Sequence, residues 1–111
     1  MQKTSLFTMT AIAAAAVAAN RFVGLLTGQH CGAGLKAQGV SHYAAATGEA
    51  FAVTVYGTEI VETAGVFAAG AALKSDAAGK AVAQAGDGVI VAYAVTPSTA
   101  AGQKVEVLLC F

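Results

Sequence analysis

The chain has 111 residues, of which 57% are hydrophobic and only 11% are charged, and its six basic and six acidic residues cancel. This length allows one domain with one modest core and leaves no room for separate catalytic and substrate domains. The basic residues are scattered singly, which argues against a nucleic-acid-binding role because no stripe of positive charge is available to neutralise phosphates. An ordinary soluble domain is about 25% charged. The low content of charged residues therefore predicts that other protein chains cover much of the surface.

The first twenty residues, MQKTSLFTMTAIAAAAVAAN, have the outline of a secretory signal peptide, with a lysine, an apolar stretch and small residues in order. A transmembrane helix is disfavoured because the run is mostly alanine and threonine. We expect instead that residues 1–20 form an N-terminal arm of the folded assembly. TSLFTMTAI has the alternation of an extended segment, and a strand or an Ala-rich turn is expected to follow it.

Residues 21–111 have the pattern of a single β-domain whose short strands are separated by glycine. The predicted strands are Arg21–Leu26, Leu35–His42, Phe51–Tyr56, Thr58–Thr63, Ala71–Ser75, Lys80–Gln84, Val89–Val95 and Lys104–Phe111. Gly57 is expected to end the strand before it, and Asp76–Gly79 to form a tight turn. The predicted fold is all-β, a small β-barrel or β-sandwich with an extended N-terminal arm.

One phrase of the sequence occurs twice, as GVSHYAAATGEAFAVTV (39–55) and as GVIVAYAVTPSTAAGQKVEVLL (88–109). Each copy has a Gly-Val pair, a short apolar stretch, an Ala-rich turn ending at Gly48 or Gly102, and an alternating strand. The repeat predicts two similar halves, at about residues 21–57 and 65–111, in which the two turns are scaffold.

Few residues have the spacing that metal binding or covalent catalysis requires. His30, Cys31, His42 and Cys110 are the candidate zinc ligands, but adjacent His30 and Cys31 diverge on a strand and no Cys-x-x-Cys pair is present. We therefore predict no metal and no cofactor. A Cys31–Cys110 disulfide is allowed by the count of cysteines alone, and reduced thiols are expected if the protein assembles in a bacterial cytoplasm.

The sequence also gives no support for nucleotide binding or for hydrolysis by paired carboxylates. The Gly79-Lys80 pair is followed by alanine and lacks the upstream glycine of a phosphate-binding loop. Glu59 and Glu62 do not share a strand face, which argues against paired-carboxylate hydrolysis. The expected place of the acidic residues is at solvated edges and turns; they include Glu59, Glu62, Asp76 and Asp87.

Several short motifs occur in a recognisable order: G-V-x-x-x-A, A-x-G-E-x-x-x-V, AGVFAAGAAL, DAAGKA and AAGQKVEVLL. Over Phe22–Leu109 this order resembles the tailed-phage capsid decoration (cement) protein family, small proteins often labelled predicted RecA/RadA-like phage recombinases. It is also similar to the head decoration proteins of lambda-like phages. The absence of a phosphate-binding loop argues against the recombinase label.

The resemblance implies a non-enzymatic virion protein on the outer surface of the capsid, made in the bacterial host cytoplasm. It implies a homotrimer that bridges major capsid protein subunits and stabilises the head, with no nucleic acid, membrane or small-molecule substrate as partner. The candidate contacts with the capsid or a neighbouring subunit are apolar residues of the arm and of the last strand. They are Leu6, Phe7, Met9, Ile12, Leu108, Cys110 and Phe111.

Three alternatives remain open at this stage. One is a secreted or periplasmic β-domain with a signal peptide. Another is a small enzyme or metal protein built around His30, Cys31 and His42. The third is a different virion component with the same domain, such as a head fibre base or a tail subunit. For the arm itself, the alternative is that it folds back on its own subunit.

Overall fold

The computed structural model describes the backbone of residues 4–109 and the side chains of residues 8–109. This part of the chain contains eight strands. They are β1 (Thr4–Ile12), β2 (Phe22–Gly24), β3 (Ala37–Ser41), β4 (Ala50–Glu62), β5 (Ala72–Ser75), β6 (Ala81–Ala83), β7 (Ala92–Ala94) and β8 (Lys104–Leu109). The predicted all-β fold class is confirmed. No helix among the described residues is long and apolar enough to cross a membrane.

The eight strands form one antiparallel sheet in the order β2-β3-β4-β8-β7-β5-β6, and β1 pairs with β4 outside this path. Thr58 of β4 pairs with both Thr4 of β1 and Leu108 of β8, so these two strands flank β4 on opposite sides. The sheet curls until β6 returns to β4. Thr63 and Ala81 form a parallel bridge there, and the Ala64 N–H donates to the Ala81 carbonyl at 2.9 Å.

The curled sheet encloses two separate apolar cores. The larger core is built around Phe22, Phe67 and Leu73, with valines and alanines filling the space between them. The smaller core lies between β1, the first half of β4 and β2–β3, and Phe51 is its one aromatic side chain. Its other members are Ala11, Ala13, Val17, Val23, Ala45 and Val53. Among the described residues, Phe22, Phe51 and Phe67 are the aromatic side chains buried in this Ala/Val-rich interior.

The doubled sequence phrase corresponds to a doubled pattern of backbone hydrogen bonds. After β1, the Ala13 N–H donates to the Glu49 carbonyl at 2.9 Å, and the Ala13 carbonyl accepts from the Gly48 N–H at 2.7 Å. The second copy repeats this exchange, at 2.8 Å and 2.7 Å, with Thr63, Gln103 and Gly102 in the equivalent positions. Both turn glycines have positive φ, 88° at Gly48 and 85° at Gly102, which a side chain disfavours.

A second pair of equivalent bridges extends the repeat. Val17 and Ala45 exchange both backbone hydrogen bonds in the first copy, and Phe67 and Ser98 exchange them in the second. Ile12 pairs with Ala50 just as Glu62 pairs with Lys104. The first half of β4 is therefore equivalent to β8, and its second half is equivalent to β1. Strand β4 belongs to both copies.

The predicted break at Gly57 is wrong, because β4 runs without interruption from Ala50 to Glu62. Gly57 has φ 107°, and the pairing register of β1 shifts on both sides of Phe7, which pairs with the neighbouring Tyr56. A glycine accommodates such an irregularity inside a strand without ending it. The glycine therefore marks a bulged region and not a turn.

The predicted turn at Asp76–Gly79 is confirmed. The Asp76 carboxylate Oδ1 accepts from the N–H groups of Ala78 and Lys80, each at 2.8 Å. Gly79 has φ 77°, which fits the glycine that the turn pattern requires. The turn joins β5 to β6, and so it supports the strand that closes the curled sheet around the larger core.

Candidate functional site

One apolar surface lies on the outer side of the sheet where β4, β8 and β7 run side by side. Leu108 lies between Thr58 and Tyr93, its cross-strand partners. Leu108 is 48% exposed and Tyr93 is 38% exposed, while the alternate residues Val107 and Leu109 are buried. We call this surface the β8 face. It has the composition of an interface core, an aliphatic residue beside a tyrosine.

A second apolar surface surrounds the end of β1. Exposed Met9 and Ile12 lie across a cleft of about 320 Å³ from Leu26, which belongs to the loop between β2 and β3. The lining residues of this cleft, which we call the β1 cleft, carry no formal charge. They are Met9, Thr10, Ala11, Ile12, Leu26, Thr27, Gly28 and Gln38.

Leu26 is held in an unfavourable conformation at the rim of the β1 cleft. Its φ is 58°, a value that residues other than glycine, asparagine and aspartate rarely adopt. Its side chain is 79% exposed, so burial does not offset the backbone strain. The Leu26 N–H donates to the Gln38 Oε1 at 3.3 Å and thereby fixes the loop. Local strain of this kind is typical of functional surfaces.

A neighbouring cleft of about 390 Å³ lies on the other side of the same loop and contains His30 and Cys31 in its lining. Cys31 is a buried free thiol, and its Sγ donates to the Leu35 carbonyl at 3.3 Å. Burial raises the pKa of the Cys31 thiol, although a hydrogen bond with Ser75 opposes the shift. A thiol held in its protonated form is a poor nucleophile and a poor metal ligand.

His30 has a structural partner. Its Nε2 accepts a hydrogen bond from the Ala18 N–H at 2.9 Å, which requires a neutral ring. Burial lowers the pKa of His30, and the Arg21 guanidinium lowers it further. Within residues 8–109, no group of three or more His, Cys, Asp or Glu side chains is arranged to hold a metal ion.

We predict that His30 makes the stability of the protein depend on pH. Because the pKa of His30 is lower in the folded chain, the unfolded chain binds a proton first as the pH falls through about 6.5. Stability is therefore fully present above pH 6.5 and decreases below it. Melting temperatures of the wild type and His30→Asn at pH 7.5 and pH 5 check this. If the melting temperature falls by the same amount in both proteins between pH 7.5 and pH 5, groups other than His30 cause the pH dependence.

Glu59 is buried, so its predicted place at a solvated edge is wrong. Its Oε2 accepts from the Thr54 hydroxyl at 2.7 Å and lies 3.1 Å from the His42 Nε2, and its Oε1 accepts from the Ile60 N–H. The His42 ring also contacts the Thr54 hydroxyl. The cluster ties the end of β3 to the middle of β4, and a buried carboxylate needs several such partners. Glu62 is half-buried and is paired with Arg21 and Lys80.

The structure exposes three of the predicted contact residues and divides them between two surfaces. Met9 and Ile12 border the β1 cleft, and Leu108 lies on the β8 face. The side chains of Leu6 and Phe7 lie outside the described part, as do residues Cys110 and Phe111 entirely. Leu26 and Gln38, which also line the β1 cleft, are not predicted by the sequence patterns above. The Leu25-Leu26 pair directly before a Thr-Gly turn was a detectable signal, because two adjacent leucines on a strand cannot both face a core.

Exposed apolar surfaces on a small all-β domain are typical of a protein that binds other chains. The family model described as "Phage cement protein" matches residues 1–109. The chain belongs to this phage cement protein family. It is therefore a structural protein of the virion, associated with the phage capsid.

The comparison with solved structures supports the same fold. The chain is similar to a protein whose structure is described as the head fiber gp8.5 N base in bacteriophage phi29, at 21% identity and a TM-score of 0.77. The alignment covers 94% of this chain and 93% of that one. A comparison with curated proteins gave no significant match.

Proposed function

We propose that the protein decorates the outer surface of the phage head as a homotrimer and stabilises the capsid by bridging neighbouring major capsid protein subunits. The observation that carries the proposal is the presence of two separate apolar surfaces on a chain that is only 11% charged. A clamp needs one surface for its own trimer and another for the shell. We assign the β8 face to trimer contacts and the end of β1 to the capsid.

Preferential binding to the assembled shell explains how such a protein stabilises the head. A protein that binds across a joint between subunits binds only the assembled arrangement and therefore stabilises it by mass action. Each contact can be weak, because a trimer presents three copies of it and a symmetric shell repeats the site many times. The low surface charge suits this role, since few ions have to be desolvated when the surface is covered.

We infer no enzymatic activity, cofactor or small-molecule substrate. The two histidines that could act as bases are each engaged in structural contacts, His30 with the backbone of Ala18 and His42 with Thr54 and Glu59. The buried, protonated Cys31 thiol agrees with synthesis in the reducing cytoplasm of a bacterial host. Family membership favours this virion role over the secreted β-domain that the first twenty residues left open.

The test is binding of purified protein to undecorated heads, with the trimer measured separately by light scattering. Leu108→Asp places a charge in the centre of the β8 face. We expect it to dissociate the trimer and to lower head occupancy at least tenfold. Replacing an apolar side chain at the centre of an interface weakens binding by about 2 kcal/mol or more. Ala101→Asp, in an exposed turn before β8, is the matched control and should behave like the wild type. A Leu108→Asp protein that remains trimeric would remove the β8 face from the proposal.

A second candidate is the base of a longer head fibre, which the fold similarity to the phi29 head fibre base favours. Imaging of the intact particle separates the two candidates. A cement protein covers every equivalent position of the shell as a low layer, whereas a fibre base carries a projecting stalk.

A further inference from the structure

The free edge of β1 offers unused backbone hydrogen-bonding groups. Among the described strands β1 pairs only with β4, so its other edge is open at Thr8 and Thr10, up to the point where Gly28 lies against the Ile12 carbonyl. The Ala13 N–H points towards β4, where it meets the Glu49 carbonyl, while the Ala14 N–H points away and donates to Gly28. Because successive residues of a strand alternate, the N–H and carbonyl groups of Thr8 and Thr10 point outward with those of Ala14.

The second copy of the repeat shows what covers the equivalent edge. There, the Ala64 N–H donates to Ala81, and the Glu62 N–H donates to the Asn20 carbonyl at 2.9 Å. Further along, Thr58 pairs with Thr4 of β1, an uncharged extended segment that runs antiparallel to β4. In the first copy, Gly28 replaces Ala81 against Ala14. No described backbone group replaces Asn20 or Thr4.

The β1 cleft lies beside this open edge and is suited to the side chains of an added strand. Its uncharged lining excludes charged residues from an occupant, and Met9, Ile12 and the strained Leu26 provide apolar contacts. The loop covers the edge only at its end. Gly28 lies so close to the Ile12 carbonyl oxygen that a Cβ at position 28 would overlap it, and Gly28 has φ 69°.

We propose that an extended, uncharged segment of the capsid shell protein adds as an antiparallel strand to the free edge of β1 at Thr8–Ala11. Its alternate side chains enter the β1 cleft, so that it completes the first copy of the repeat as Thr4 and Asn20 complete the second. This inference rests on the proposed capsid function. A shell segment is favoured over a second copy because about four paired residues bury far less than the roughly 1,200 Å² that a stable free dimer needs. On a shell, other contacts between the protein and the capsid supply the remaining buried area.

The test uses Thr10→Pro, because proline removes the outward N–H and leaves the bonds of β1 to β4 intact. Thr10→Val keeps the N–H and the side-chain shape and is the matched control. We expect Thr10→Pro to bind undecorated heads at least tenfold more weakly, with an unchanged trimer and circular dichroism spectrum, and Thr10→Val to bind like the wild type. Deletion of the segment is unsuitable because it would remove β1 from the sheet.

Leu26→Asp tests the cleft without altering the backbone of β1, in case Thr10→Pro does not fold. Leu25→Asp, the adjacent residue that lines the other cleft, is its control. A tenfold loss of binding with Leu26→Asp alone supports the inference, and equal losses overturn it. Wild-type binding by both Thr10→Pro and Leu26→Asp also overturns it. If either variant changes the oligomeric state, the free edge of β1 binds a second copy of the chain, and the inference is overturned. If the wild type does not bind heads, the capsid proposal itself fails.

Discussion

Replacing Gly39 with alanine is expected to destabilise the protein by about 3 kcal/mol, at the upper end of overpacking effects. Gly39 lies in the fully buried strand β3, against the middle of β4. An added Cβ would overlap the Thr54 carbonyl oxygen and would lie 2.7 Å from the Val53 Cγ1. Because backbone cannot move aside as a side chain can, β3 would have to separate from β4. The midpoint of urea unfolding measures the loss.

Gly65→Ala is the matched control for this substitution. A Cβ at Gly65 meets no heavy atom within 4 Å, and Gly65 is not among the residues with positive φ. The expected change is within about 0.5 kcal/mol, or slightly stabilising because alanine restricts the unfolded chain. Equal losses from Gly39→Ala and Gly65→Ala would mean that chain stiffness, and not the close approach of β3 and β4, explains the effect.

Phe51→Ala is expected to cost about 3–5 kcal/mol, the usual range for removing a buried aromatic side chain. Phe51 is the one large side chain in the smaller core, whose other members are alanines and valines. These small residues cannot fill the cavity, so the contact that holds β1 on the first half of β4 should weaken. Hydrogen exchange measures this directly. The amides of residues 8–12 that bond to β4 should lose protection more than those of β8.

Tyr56→Ala provides the comparison on the same strand. Tyr56 is 59% exposed, and a surface substitution of this kind usually changes stability by less than about 0.5 kcal/mol. Uniform loss of protection in β1 and β8 after Phe51→Ala would show instead that the two cores do not unfold separately.

The sequence predicted the parts of the fold that depend on local chemistry. The Asp76–Gly79 turn was predictable because an aspartate and a glycine at fixed spacing satisfy one backbone geometry. The last strand was predicted from its alternating pattern, and in the structure Leu108 is exposed while its neighbours Val107 and Leu109 are buried. The same local logic gave an extended conformation for the segment that became β1.

Long-range pairing decided what the sequence left open. The path of β1 along β4 depends on residues 38 to 54 positions away, and no local signal in an Ala/Thr-rich segment encodes that partner. The burial of Glu59 was missed because a lone glutamate in a strand has the pattern of a solvated residue. Its partners, His42 and Thr54, reach it only when β3 pairs with β4. The sequence predicts a strand end at Gly57 because composition alone does not distinguish a bulge from a turn.

Because β4 is shared by both copies of the repeat, neither copy has a complete set of strands of its own. A fragment that ends before β4 lacks the partner of β1 and β3, and one that begins after it lacks the partner of β8. Neither copy should therefore fold as a separate fragment, although β1 can open locally while the rest of the sheet remains paired. In a virion protein, proteolytic nicking in a loop would leave the fragments held together by this central strand.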